Sequence, residues 1–537
     1  MEEGWNGFVR DHSAQRNRLF KMLEGQFAPC IRLLRDHKIQ SSIKTKGNAM
    51  TGSVYKGWTE RGVPRVRKSI SARSCLIVLL VVFLSGCSHY HYPVNRSLKQ
   101  PEPQEGYRGR TLAQTDSKDD LMILLTFSGG GTRAAAFSYG VLETLRDTEV
   151  SVHGREESLL DHVDVISGVS GGSFTAAYYG LFRDRIFEDF ESKFLKKNIQ
   201  GDLARGTFLN PFNWVKILSP YYGRSDFAAD YYQEHLFDGR TFGDMPLEKP
   251  MILINATDMV HGTRFTFNQD VFDVICSDMS TFPVGRACAA SSAVPGLLSP
   301  ITLRNYANTC GFEMPEVLRQ SMEHPIDTSS RRFDLAHNML PFFDSEKKPF
   351  IHLVDGGVAD NLGLRAILER IILMGDPWAT LQYLGMENVT KIVFVVVNAE
   401  TEVDTKWDTF SRIPTIRAMI GSFPSIAIGR YNLETLALLR ESLSPWAEAV
   451  RKGRCGPDKI SLEPGSCGDI EFYLVEVNFD ALEEEAERSH LKRLPTSFVL
   501  KPEEVDRLRD AARHILTSSG EFRRLVQDLQ QKSETVP

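Results

Sequence analysis

The stretch LLTFSGGGTRAAAFSYGVLETL, residues 124–145, decides the fold. The run LMILLTF, residues 121–127, is unbroken apolar sequence that stops at a serine and three glycines. Such a run, closed by glycine, predicts a strand buried on both faces. Residues 132–145 carry small and apolar side chains suited to a packed helix. Between them stand Gly129, Gly130 and Gly131. Three glycines in a row raise the entropic cost of ordering the chain, so the backbone there must be approached closely or take a positive φ. A tight strand-to-helix turn without a ligand would also account for them. A dinucleotide fingerprint fits the spacing Gly129-x-Gly131-x-x-Ala134, but it needs an acidic residue closing the second strand. That strand closes with Ser167-Gly168 instead. A phosphate-binding P-loop needs G-K-[ST], which does not follow.

Working outward, VDVISG at residues 163–168 predicts a second buried strand, and residues 171–182 a helix. The turn between them reads Gly168-Val169-Ser170-Gly171-Gly172. A serine on a sharp strand-to-helix turn flanked by small residues is the context of a nucleophile elbow. The helix N-terminus beyond it favours developing negative charge. The motif alone is weak; its context sharpens it. Acyl transfer also needs donors aimed at the oxygen that gains charge, and the N–H groups of Gly129, Gly130 and Gly131 could supply them. A nucleophilic serine needs a base. In VDGGVADN, residues 354–361, Asp355 closes an apolar strand and enters a glycine turn. Taken alone it reads as a helix cap. Strand alternation sets His352 on the opposite face from residues 353 and 355, as a packed histidine.

Taken together and in this order, Gly-Gly-Gly-Thr-Arg, Gly-Val-Ser-Gly-Gly and Asp-Gly-Gly resemble the patatin-like phospholipase family. The likeness runs from about residue 121 to 400, with echoes in INATD at 254–258 and ACAASSAVPGLLSP at 287–300. It implies a three-layer α/β/α fold with a mostly parallel central sheet, and a Ser–Asp dyad without histidine. Ser170 would be the nucleophile, Asp355 the base, and Gly129–Gly131 the oxyanion hole, with Gly168 and Gly172 framing the elbow. Arg133 would shape the loop or meet substrate phosphate. Ala134 departs from the glycine common in the family. The implied activity is a serine lipid acyl hydrolase of phospholipase or lysophospholipase type. No cofactor or metal is expected. Two alternatives stay open: a Ser–Asp–His esterase drawing on His490 or His514, and a lipoprotein that binds lipid or a partner without catalysis.

The 537 residues carry a formal charge of −6, unevenly spread. Residues 1–87 hold 15 Lys and Arg against 6 Asp and Glu, leaving 48 against 63 in the remainder. An acidic body has no electrostatic reason to bind nucleic acid. The expected partner is lipid at a membrane surface. Arg65, Arg67, Lys68 and Arg73 precede CLIVLLVVFLSGC, residues 75–87. A basic segment followed by a short apolar run predicts a secretory signal. Its end, Leu-Ser-Gly-Cys, resembles the bacterial lipobox, which implies lipidation of Cys87, export and an outer-membrane location. The signal lies far into the chain, so Met50 or a codon near Val63 is the expected start, and residues 1–49 are expected to be non-native or disordered.

The expected organisation is a signal at 50–87, a tether at 88–118, a catalytic domain at 119–400 and a mostly helical region at 401–537. Residues 183–245 form an aromatic-rich insertion, read as a subdomain with its own small core in preference to a lipid-facing lid. Five cysteines follow Cys87. Cys455 and Cys467 bracket a Gly/Pro loop suited to a local disulfide. The oligomeric state is not legible.

Overall fold

The computed structural model describes residues 94–109, 120–152, 155–217, 219–323, 328–402, 408, 409, 411, 413, 416–456 and 469–534. The extension 1–49, the signal at 50–87 with Cys87, and residues 88–93 and 110–118 of the tether lie outside the described residues. Residues 94–109 are packed on the body and are not a free tether. Asn95 Nδ2 donates to Ser277 Oγ at 2.9 Å, the Tyr107 hydroxyl accepts the Ile252 N–H at 2.7 Å, and Arg108 pairs with Asp270 and Asp273.

The strands are β1 Leu121–Phe127, β2 Glu149–Val152, β3 Arg155–Ser158, β4 Val163–Val169, β5 Met251–Asp258, β6 Arg264–Phe267, β7 Ile301–Arg304, β8 Phe350–Asp355, β9 Lys391–Asn398 and β10 Glu471–Asn478. The main sheet runs β10-β9-β1-β4-β5-β8-β7, with β6 also on β5; β2 and β3 form a separate hairpin. From β10 to β5 every pairing is parallel, while β8 runs antiparallel to β5.

Helices cover both faces, as a parallel sheet of continuous apolar strands requires. They are α1 Gly131–Arg146, α2 Gly171–Phe182, α3 Arg224–His235, α4 Val284–Ser291, α5 Arg365–Met374, α6 Pro377–Leu384, α7 Ile416–Cys455, α8 Pro502–Ser518 and α9 Gly520–Glu534. Alternation along β1 divides the core. Ile123, Leu125 and Phe127 join one apolar cluster with α1, α2 and α8. Met122 and Leu124 join a second with α5, α6 and α7. The fold is thus a three-layer α/β/α arrangement with a mostly parallel central sheet and C-terminal helices.

Two boundaries differ from expectation. Among the described residues, those in 183–245 build no core of their own. Phe194, Tyr232 and Phe237 pack on Phe174 of α2 with ring centroids 4.6, 4.8 and 6.4 Å away. The apolar side chains of this insertion therefore extend the main core and brace the helix behind Ser170, although Leu209, Trp214 and Tyr221 remain exposed. Nor does the body end at residue 400. β10 pairs with β9 along its whole length, and α8 buries Val505, Leu508, Ala512, Ile515 and Leu516 in the core shared with α1. Among the cysteines, Cys276 and Cys310 form a disulfide, a pairing the spacing did not reveal, and Cys288 is free and buried. Cys455 is also disulfide-bonded; Cys467 lies outside the described residues.

Candidate active site

β1 and β4 are adjacent and parallel, with Phe127 paired to Gly168. Their C-terminal ends therefore deliver the glycine turn and the Ser170 turn side by side, at the N-termini of α1 and α2. Two helix N-termini thus face one point, a favourable setting for negative charge. Ser170 takes φ 47° and ψ −118°, a strained conformation for a side-chain-bearing residue. Several contacts hold it. Its N–H donates to Ser291 Oγ at 2.8 Å, and the Ser291 hydroxyl donates to the Asn255 carbonyl at 2.6 Å. Gly168 and Gly172 flank it in β4 and α2.

The close approach expected of the glycine turn is present. A Cβ on Gly171 would lie 2.0 Å from the Gly131 carbonyl oxygen, and one on Gly131, where φ is 59°, would lie 2.4 Å from the Ser497 carbonyl oxygen. The two turns touch backbone to backbone, so no side chain fits between them.

Asp355 arrives by a route the sequence did not suggest. β8 is antiparallel, so its C-terminal end meets β5 at Ala256, one residue beyond the Val169–Asn255 pair. There the Ser170 hydroxyl donates to Asp355 Oδ2 at 2.9 Å. The Gly357 N–H donates to Asp355 Oδ1 at 2.8 Å. Thr257 Oγ1 donates to the Asp355 carbonyl at 2.9 Å. Burial pushes the carboxyl up to about 6, opposed by the Gly357 and Ser170 hydrogen bonds. Ser170 is 4 % and Asp355 8 % exposed.

The histidines stand apart. His352 is hydrogen-bonded to Thr302, His490 to Glu504, and His514 is an exposed residue of α8. No ring intervenes between Ser170 and Asp355.

Two expected roles are refined. The Gly129 N–H donates to the Asn361 carbonyl at 3.0 Å, so it is already engaged within the protein. Arg133 is buried and cannot meet substrate phosphate. It donates to the carbonyls of Ala399 and Leu494 and to Thr496 Oγ1, at 2.9, 2.6 and 3.2 Å. It fixes the loop instead, and burial lowers its pKa to about 10.

Two groups were missed by sequence reasoning. Ser497 accepts the Thr132 N–H at 2.9 Å and, with Leu494 and Thr496, walls the glycine turn from the far end of the chain. Asn361 has its carboxamide between the glycine turn and the Asp355 turn: Cβ atoms on Gly129 and Gly357 would lie 2.6 and 3.0 Å from Asn361 Oδ1. Its place six residues after Asp355 in a short polar turn was the available signal. Among the described residues no cluster of His, Cys, Asp and Glu could hold a metal ion, and no helix is long and apolar enough to cross a membrane.

Residues 125–368 match the family model Patatin-like phospholipase. Similar solved structures include human GIVD cytosolic phospholipase A2, at 13 % identity over 84 % of this chain and 67 % of that one, with a TM-score of 0.34. Its complex with methyl gamma-linolenyl fluorophosphonate inhibitor and terbium chloride is similar at 12 % identity over 85 % and 64 %, with a TM-score of 0.32. No curated protein matches the chain. Residues 125–368 are thus a patatin-like phospholipase domain.

Proposed function

We propose that this chain hydrolyses phospholipid or lysophospholipid esters with Ser170 as nucleophile and Asp355 as the single base. The observation that carries the reading is the 2.9 Å hydrogen bond from the Ser170 hydroxyl to a buried carboxylate. As Ser170 Oγ attacks the ester carbonyl carbon, its proton passes to Asp355 Oδ2. The N–H groups of Gly130 and Gly131 receive the tetrahedral oxyanion. Protonated Asp355 then gives the proton to the departing alcohol, and the acyl group remains on Ser170. Water attacks that ester, Asp355 takes its proton, and fatty acid leaves as Ser170 regains a hydrogen. The Gly357 N–H on Oδ1 keeps Oδ2 turned toward Ser170 through both half-reactions.

A lipidated Cys87 and residence in a bacterial outer membrane belong to the same proposal. The disulfides at Cys276–Cys310 and Cys455 suit an oxidising compartment.

The test is fatty-acid release from a fluorogenic acyl ester and mixed phospholipids by residues 88–537. Wild type is expected to be active. Ser170→Ala and Asp355→Asn are expected to be folded and inactive, and His490→Ala to be near normal. An inert wild type replaces this reading with a non-catalytic lipid-binding lipoprotein, and a fully active Ser170→Ala removes Ser170 as the nucleophile. Collapse in His490→Ala favours the triad.

A further inference from the structure

A cavity of about 490 Å³ lies between the sheet and helices α5 and α6, on the face opposite α1 and α2. Its floor is one contiguous patch of the strands' N-terminal halves: Met122, Leu124, Val165, Met251 and Leu253. Strand register makes them neighbours, since Leu124 pairs with Val165 and Val165 with Met251. Its roof includes Ile371 and Met374 of α5 and Leu384 of α6. Val165 precedes Ser170 by five residues, about 16 Å along the strand, and neither Ser170, Asp355 nor the glycine turn lines the space.

This space is not ordinary packing. β4 is a central strand with neighbours on both sides, yet Val165 is only half-buried. The facing side chains Ile371, Met374 and Leu384 are half-buried too. Protein interiors are close-packed, with few voids larger than a water, and a large empty apolar cavity destabilises the fold. The volume falls in the range of small-molecule sites, about 300–1,000 Å³. Methionines on floor and roof suit a flexible hydrocarbon.

The rim carries charge, and its cations are unequally engaged. Arg108 holds Asp270 and Asp273 at 3.1 and 3.0 Å, and Arg264 holds Glu369 at 2.7 Å. Arg370 is looser. Its nearest paired acid oxygen, on Asp270, is 3.7 Å away, and its guanidinium lies 4.6 Å from the Tyr383 ring centroid. Both Arg370 and Tyr383 line the cavity.

We propose that this cavity is a binding site for one long-chain fatty acid, with the hydrocarbon along the sheet floor and the carboxylate at Arg370. The site is separate from the dyad and goes beyond the proposed hydrolysis; binding here needs no turnover.

The test is titration of the full chain carrying Ser170→Ala with cis-parinaric acid, read by its fluorescence, beside its methyl ester. Saturable one-site binding is expected. Ile371→Trp fills the cavity from the roof and Leu253→Trp from the floor; each is expected to weaken binding at least tenfold with the far-UV circular dichroism unchanged. Arg370→Gln, at the rim, is expected to weaken the acid several-fold and leave the ester unchanged. Absence of saturable binding overturns the proposal. So does equal affinity in both tryptophan variants, which would place the acyl chain elsewhere, such as beside residue 170. Equal loss of acid and ester in Arg370→Gln overturns the carboxylate assignment. Hydrolysis by the Ser170-containing tryptophan variants is measured separately, so a failed fatty-acid site and a failed dyad give different results.

Discussion

Burial of Asp355 sets the pH range in which the proposed base can act. With its carboxyl at about 6, the base form accumulates as pH rises. The value of kcat/KM is expected to climb with a midpoint near 6 and level off above it, measured on a soluble ester across the acid range. The same shift bears on stability. The folded pKa is raised above the unfolded value of 3.8, so the native state holds this proton more tightly. That contribution is complete below the unfolded value and is lost as pH rises through about 6. Asp355→Asn keeps the shape and removes the buried charge. It is therefore expected to be more stable than the parent near neutral pH, by on the order of 3 kcal/mol. Denaturant titration at neutral pH and below the unfolded carboxyl pKa checks this; the gap should close at the lower pH. Loss of activity with gain of stability would mark Asp355 as a group held in place at a cost to the fold.

Elements turn these residues into a site. α2 begins at the strained Ser170 and is clamped from behind by the rings around Phe174, so strain in the turn is opposed by packing one helical turn away. Phe174→Ala should cost about 3–5 kcal/mol, measured by denaturant unfolding. At the glycine turn, Gly131→Ala would push a methyl onto the Ser497 carbonyl at a positive φ. The expected result is a loss of about 1–3 kcal/mol in stability and roughly a hundredfold in kcat. A kcat loss with KM little changed distinguishes displaced oxyanion donors from lost substrate binding. The elements themselves were largely legible. The apolar runs at 121–127, 163–168, 250–258, 350–355 and 391–399 are strands because each is buried on both faces. β2, β3 and β7 were not legible: they are four residues long and lack a long apolar run.

On the scale of the molecule, the sheet is completed from outside the family-matched segment. β9 and β10 lie beyond residue 368, and α8 rests on α1 where a Cβ on Gly140 would come within 2.7 Å of the Arg509 backbone. Removal of residues 401–537 would leave β9 as an edge and uncover the apolar face of α1. The truncated chain is expected to lose its cooperative thermal transition and to aggregate, while residues 88–537 melt cooperatively; calorimetry beside size-exclusion chromatography checks this. A truncated chain that melted cooperatively with intact hydrolysis would show that the C-terminal region is an appendage.

What the sequence determined by itself was the set of long apolar strands, the elbow serine, the glycine turn and the carboxylate at a strand end. Those features are local: hydrophobic period, glycine placement and strand termination are written within a few residues of each other. What only the tertiary structure decided were the pairings of distant segments. The antiparallel approach of β8 brings Asp355 to Ser170. The insertion's rings join the main core, Cys276 pairs with Cys310, and residues 494–497 take up Arg133 and the Thr132 N–H. Each arises from which surfaces bury one another, and apolar burial is non-directional, so no local pattern names the partner in advance.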